Sequence, residues 1–247
     1  MGLKGKTALV TGGGTGLGRA ISLQLAREGV NLAINYSRSK DDAEKTAADV
    51  RALGVKAITV QADVSSAASA ENMTAQTEKA FGRLDILVNN AGTTKFVPFK
   101  DLDGLDEEDW ISIFKTNVMS FFFVSRAAAK IMKKSGGGKI IGTVSAAGLR
   151  PSGSSIAYSV SKAAGIHATK CLAVALAPEI SVNAIAPGVL LTRWAGGYTE
   201  EQLQKMREVP VLKKFTDVED CAAMYIAVIK NDNITGQTLS VDAGQVI

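Results

Sequence analysis

Cysteine is scarce in this sequence, two residues in 247, and histidine scarcer, with His167 alone. Cys171 and Cys221 are flanked by apolar or helix-forming residues and read as two buried thiols, not as a disulfide framework, which suits a reducing compartment. One histidine, two distant cysteines and dispersed acids offer no ligand spacing, so no metal site is expected. No apolar run approaches the length of a membrane span, and Met1-Gly2-Leu3-Lys4-Gly5-Lys6 lacks the long apolar region of a signal peptide. Lys6 stands where a myristoylation signal requires Ser or Thr. A cytoplasmic protein with no membrane partner is the expectation. Basic residues exceed acidic ones only by 28 to 24 and form no block of five or six like charges, so nucleic acid is not implied.

What the sequence does contain is apolar material, 46% of residues, arranged as short β-branched runs alternating with amphipathic stretches. Strands are predicted at Thr7 to Thr11, Leu32 to Tyr36, Ala57 to Gln61, Ile86 to Asn89, Lys139 to Ser145, Ser181 to Ala186 and Thr238 to Val241. Helices are predicted at Gly16 to Glu28 and near 41-53, 66-81, 107-134, 155-177 and 217-230. Such alternation demands right-handed crossovers and a parallel sheet with helices on both faces, the doubly wound α/β architecture, whose ligands bind beyond the strands' carboxyl ends. No linker rich in Pro, Gly or Ser divides the chain, so residues 1-247 read as one domain.

The first strand runs into Thr11-Gly12-Gly13-Gly14-Thr15-Gly16-Leu17-Gly18, which opens directly into a helix. Glycines let the backbone turn sharply and approach a phosphate, while free N–H groups and the helix dipole stabilise its charge. A Walker loop would need Lys and then Ser or Thr after the closing glycine, but Gly18 is followed by Arg19-Ala20. The strict G-x-G-x-x-G register fails too, and the spacing that survives is Gly12, Gly16 and Gly18. In dinucleotide folds that prefer NAD, an acid about 20 residues further on holds the ribose 2′-hydroxyl. Here that place reads Asn35-Tyr36-Ser37-Arg38, the nearest acids, Asp41 and Asp42, lying inside the next helix. Ser37 and Arg38 suit a 2′-phosphate, so NADP(H) is favoured, with NAD(H) left open.

With these motifs in order, the chain resembles a classical short-chain dehydrogenase/reductase over nearly its full length. Thr11 to Gly18 resembles the family's T-G-x-x-x-G-x-G, Asn89-Asn90-Ala91-Gly92 its N-N-A-G, and Tyr158 with Lys162 its Y-x-x-x-K. Asp63-Val64 matches the pair that contacts adenine, and Pro187-Gly188 with Leu190 and Thr192 the later cofactor loop. The resemblance extends cofactor contact to Thr15, Leu17, Asn90, Ala91, Gly92, Tyr158 and Lys162. One element departs from the pattern: many NADP-preferring members carry a basic residue where Thr15 stands.

Tyr158 and Lys162 are four apart in a predicted helix and so share a face. A free phenol titrates near ~10, and lowering that by about three units takes roughly 4 kcal/mol of phenolate stabilisation. A nearby ammonium and a bound nicotinamide cation are the expected sources. Ser145, read as the end of the preceding strand, can hydrogen-bond the reacting oxygen. A hydride then passes between nicotinamide and a carbonyl carbon while Tyr158 moves the proton. The resemblance further implies that Lys162 binds the nicotinamide ribose and that Asn117 holds a water continuing the relay; without it, Asn117 reads equally as a helix kink.

The remaining features carry less chemistry. His167, nine residues past Tyr158, is assigned a structural or interface role. Residues 189-215, with Arg193, Trp194, Gly196, Gly197 and Tyr198 before a short acidic-to-basic helix, lie where the family carries its substrate lid, and nothing there names a substrate. Apolar residues wrap widely around 107-134, with Phe121 to Phe123, and around 155-177, with Ala163, Ala164 and Gly165. That excess predicts a homo-oligomer, a tetramer in particular, and in many classical members these helices form the main dimer contact. Three functional readings stand: a carbonyl reductase or alcohol dehydrogenase, with a reductase of carrier-bound 3-oxoacyl chains as a subtype; an epimerase working through transient oxidation; and a non-catalytic nucleotide-binding regulator. Retention of Ser145, Tyr158, Lys162 and Asn117 together argues against the last.

Overall fold

Seven β-branched runs pair side by side, every neighbour parallel, in the order β3-β2-β1-β4-β5-β6-β7 of a computed structural model that describes residues 2–247. Met1, the first residue of the N-terminal stretch read above, lies outside the described residues. The strands are β1 (Thr7–Val10), β2 (Asn31–Tyr36), β3 (Ala57–Gln61), β4 (Ile86–Asn89), β5 (Gly138–Thr143), β6 (Ile180–Pro187) and β7 (Thr238–Val241). The chain winds outward from β1 to β3, then returns to place β4 on the other side of β1, with Ala8 beside Ile86. That reversal opens a crevice beyond the carboxyl ends of β1 and β4, where open α/β sheets bind ligands.

Alternate side chains of each strand face opposite layers, so both faces must be covered. Val10, Leu32 and Ile34 pack with α1 (Gly16–Arg27), α2 (Lys40–Ala52) and α8 (Val218–Lys230). Leu9, Leu87 and Ile140 pack with α3 (Ala67–Phe81), α5 (Ser120–Lys134) and α6 (Ile156–Leu176). Each such side chain taken fully out of water contributes about 1.5–3 kcal/mol. Side-chain caps fix where helices begin: Ser66 accepts from Ser69 N–H, Asp217 from Glu219 and Asp220, and Ser155 from Tyr158.

Two sequence expectations need correction. The single helix expected over 107-134 is three pieces: α4 (Glu107–Phe114), a π-helical turn at Lys115–Met119, and α5. Ser120 N–H bonds to the Lys115 carbonyl, five residues back, and Asn117 within this turn is held by three side-chain hydrogen bonds described below. Cys221 is a buried free thiol as expected, whereas Cys171 is exposed, because α6 presents residues 160, 163, 167, 171 and 174 to the outside. The helix expected in 189-215 is α7 (Glu200–Arg207), begun by a Thr199–Gln202 capping box.

Candidate active site

The glycine turn is clamped between neighbouring strand ends. Thr11 Oγ1 accepts the N–H groups of Asn90 (2.9 Å) and Ala91 (3.0 Å), while Asn90 Nδ2 donates to the carbonyls of Thr11 (3.0 Å) and Gly12 (3.3 Å). Asn35 Oδ1 accepts Gly12 N–H at 3.2 Å from the β2 side. Gly12 and Gly16 have φ of 60° and 49°, the left-handed region that glycine enters without a Cβ penalty. A Cβ at Gly18 would overlap the Gly12 carbonyl oxygen, so the turn closes only with glycine there. Thr15, at the N-cap of α1, makes no side-chain cap, leaving the first N–H groups of that helix for an anion.

A cavity of about 980 Å³ runs from this turn along the carboxyl ends of the sheet. It is lined by Gly12, Thr15, Gly16, Leu17 and Gly18, by Ser37 and Arg38 beyond β2, and by Asp63 and Val64 beyond β3. Asn90, Ala91 and Gly92 beyond β4, and Pro187, Gly188, Leu190 and Thr192 beyond β6, line it too. A nicotinamide dinucleotide fits this volume, the uncapped helix end and the Cβ-free turn. Ser37 and Arg38 are exposed and Asp63 accepts from Ser65 N–H at 2.9 Å. Asp42, in the first turn of α2, is engaged by both terminal nitrogens of Arg193 at 2.6 and 2.7 Å, which holds its carboxyl below the usual range.

Ser145, Tyr158 and Lys162 line the same cavity. Ser145 lies two residues past the end of β5, not on the strand, and its hydroxyl accepts Ala147 N–H at the start of a short 3₁₀ turn, Ala146–Gly148. Ser145 acts on the Tyr158 hydroxyl to lower its pKa, and the Lys162 ammonium stands 5.5 Å from the Tyr158 ring. Lys162 Nζ donates to the Thr143 carbonyl at 2.9 Å, and Thr143 Oγ1 meets the fully buried Tyr225 hydroxyl at 2.8 Å. Burial pushes the Tyr158 phenol up to about 12, against the Ser145 hydrogen bond, with Tyr198 adding to the rise. Burial also pulls Lys162 down to about 8. The phenolate expected beside an ammonium is therefore not produced by the chain alone, because desolvation outweighs the stabilisation that Ser145 offers.

Asn117 is the one candidate outside the main cavity. Its Nδ2 donates to the Thr93 carbonyl (3.0 Å) and Ser161 Oγ (3.0 Å), and its Oδ1 accepts Thr93 N–H (2.8 Å). A small void of about 10 Å³, lined by Asn117, Lys162 and Thr143, adjoins it. A Cβ at Gly92 would stand 3.4 Å from Asn117 Oδ1 and 3.7 Å from Lys162 Nζ, so the two groups flank that glycine.

Residues 189-215 cross the cavity and touch three elements. Arg193 grips Asp42 of α2, the Trp194 ring lies 5.9 Å from that of Tyr158, and Tyr198 meets Phe96 edge-on at 5.2 Å. Sequence reasoning did not single out Asn35, Thr11 or Ser155 as supports of the site. A polar Asn inside a β-branched run, and a Ser three residues before Tyr158, were the available signals.

A dinucleotide-sized cleft at the sheet's switch point, with a Ser, Tyr and Lys at one end, is the arrangement of a nicotinamide-dependent oxidoreductase. A family model described as short chain dehydrogenase matches residues 6–203. The 3-oxoacyl-acyl-carrier-protein reductase FabG of Staphylococcus epidermidis is 36% identical over 243 residues, 97% of this chain and 98% of that protein. Among solved structures, a short-chain dehydrogenase/reductase from Serratia marcescens superposes with a TM-score of 0.91 at 34% identity, covering 99% of both chains. A short chain dehydrogenase from Burkholderia cenocepacia in complex with NADP matches with the same score, identity and coverage. The chain belongs to the short-chain dehydrogenase/reductase family.

Proposed function

We propose that the protein is an NADP(H)-preferring carbonyl reductase or alcohol dehydrogenase in which Tyr158 moves the proton. The observation that carries this is that Ser145, Tyr158 and Lys162 share one cavity with the glycine turn, the Lys162 ammonium 5.5 Å from the Tyr158 ring. When bound, the dinucleotide supplies or takes up the hydride at the substrate carbon. Ser145 donates to the reacting oxygen and orients it. Tyr158, neutral up to about 12, gives its proton to that oxygen in reduction and recovers it in oxidation. Lys162 uses one of its three donors on Thr143, leaving two for the cofactor's ribose and for a relay water. The small void beside Asn117 is at the lower limit for one such water. Turnover of ketones, aldehydes, sugars and acyl thioesters, followed by NADPH absorbance, tests the reading; no consumption with any class overturns it. The named activity of the Staphylococcus relative favours a second reading within the same chemistry, reduction of carrier-bound 3-oxoacyl chains.

Preference for NADPH rests on Ser37 and Arg38, both exposed at the cavity's β2 edge, with Asp42 occupied by Arg193. Wild type is expected to favour NADPH, and Arg38→Ala to erode the preference mainly in KM, on the scale of a charge-assisted bond of about 1.5–3 kcal/mol. Equal use of both cofactors by wild type contradicts the assignment. Two free thiols support a reducing, cytoplasmic setting.

Self-association is the third part of the proposal. Much of the apolar excess on α5 is core, Phe121, Ala127, Ala128 and Ile131 all being buried, but an outer set is left over. Ile111, Met119 and Phe122 on one side and Val160 and Val174 on α6 are each more than 40% exposed. Symmetric pairing of such patches is the commonest way to cover them. Light scattering behind size exclusion is expected to give about four times the 25.8 kDa chain mass, and a monomer at micromolar concentration refutes it.

A further inference from the structure

Four cations line the cavity, Arg38, Arg150, Lys162 and Arg193, against one acid among the described residues, Asp63. Three of the four have a place in the account above: Arg38 at the adenosine edge, Lys162 at the reacting centre, and Arg193 bound to Asp42. Arg150 does not. It follows the short turn that begins at Ser145, so the turn that orients the reacting oxygen also carries this guanidinium. Gly153, three residues on, packs so closely that a Cβ there would stand 3.2 Å from the Tyr158 ring. Arg150 thus follows β5, as Ser145 does, four places along the sheet from β3, which Asp63 follows.

Of the five N–H donors of Arg150, one is engaged, from Nη1 to the Gln245 carbonyl at 2.7 Å. Among the described residues no carboxylate lies within ion-pair distance of it. Gln245 lines the same cavity, so the bond ties the guanidinium to the cavity's rim, where it is exposed. Trp194, Tyr198, Met206 and Val209 from residues 189-215 add apolar surface to the lining. A guanidinium with no carboxylate partner in a cavity with such lining recognises an oxyanion on an otherwise apolar molecule.

We infer that Arg150 is a specificity-determining residue for a carbonyl substrate that carries an oxyanion, a carboxylate of its own or a phosphate on a carrier arm. The inference rests on the oxidoreductase reading and narrows its substrate class. It is tested by kcat/KM at saturating NADPH for two matched pairs. Acetoacetate against methyl acetoacetate probes a carboxylate, and acetoacetyl-coenzyme A against acetoacetyl-N-acetylcysteamine probes phosphate. Arg150→Gln keeps a donor for the Gln245 carbonyl and removes the charge. It is expected to lower kcat/KM for the anionic member of one pair by about 10- to 100-fold, mainly through KM, with its neutral partner within about twofold. Arg150→Lys restores most of the loss. Which pair responds identifies the source of the oxyanion. Equal losses for charged and neutral members, or none for either, overturn the inference while neutral turnover leaves the oxidoreductase reading standing. Inactivity of wild type toward all four overturns the inference, while the oxidoreductase reading is decided by the wider substrate panel above.

Discussion

Tyr158→Phe is expected to lower turnover by about 10²- to 10⁴-fold while cofactor affinity, read by NADPH fluorescence, stays within about twofold. The range is that of general acid–base catalysis. The substitution removes only the hydroxyl, while the ring keeps its contacts with Trp194 at 5.9 Å and with the Lys162 ammonium at 5.5 Å. The cavity and the glycine turn are untouched. A variant that retained wild-type turnover on an accepted ketone would require a different proton donor, and none of the neighbouring groups is as well placed.

The second large effect concerns stability. Lys162 is 5% exposed and its ammonium titrates near 8, against an ordinary 10.5, so folding buries a charge that water would rather keep. A folded-state value below the unfolded one means the penalty is absent above about 10.5, grows as pH falls from there, and is complete below about 8. A shift of this size corresponds to about 3 kcal/mol at pH 7. Lys162→Met removes that cost and leaves the Thr143 carbonyl without its donor, a loss of about 1 kcal/mol. The inactive variant is thus expected to be more stable than wild type by about 2 kcal/mol at pH 7 and to lose the advantage by pH 10. Urea unfolding at matched protein concentration and at both pH values checks this; destabilisation at pH 7 would mean that the ammonium's contacts outweigh its burial.

Strands and most helices were legible because each needs only a local pattern: β-branched runs for β3 or β4, and Ser66 or Asp217 before a periodic stretch for α3 and α8. The glycine turn was legible for a different reason, since few sequences other than a phosphate turn place glycine at 12, 16 and 18 after a first strand. What stayed hidden depends on distant partners. The π turn coincides with bonds from Asn117 to Thr93 and Ser161, 24 and 44 residues away, and no periodicity announces such bonds. Ser145 was read as the last residue of a strand, yet its hydroxyl caps the next turn, a difference of two residues that no propensity resolves. Arg150 sits in a segment that looks like any surface loop, and only its place in the lining of the same cavity as Tyr158 gives it meaning. The solvent-facing position of Cys171 follows from the rotation of α6 against the sheet, which composition cannot supply.

The way α6 begins has an electrostatic consequence. Ser155 accepts the N–H of Tyr158, so the tyrosine stands in the first turn of a 21-residue helix, the longest in the fold. Aligned peptide dipoles give that end a partial positive charge, which favours an anion there by about 0.3–1 kcal/mol at exposed sites and up to ~2 in partly buried ones. Moving the phenol from its ordinary value to about 12 costs the anion about 3 kcal/mol. The field of the helix thus leans toward the charge that the reaction creates without being strong enough to create it early. Tyr158 keeps its proton until an oxygen able to take it is in reach.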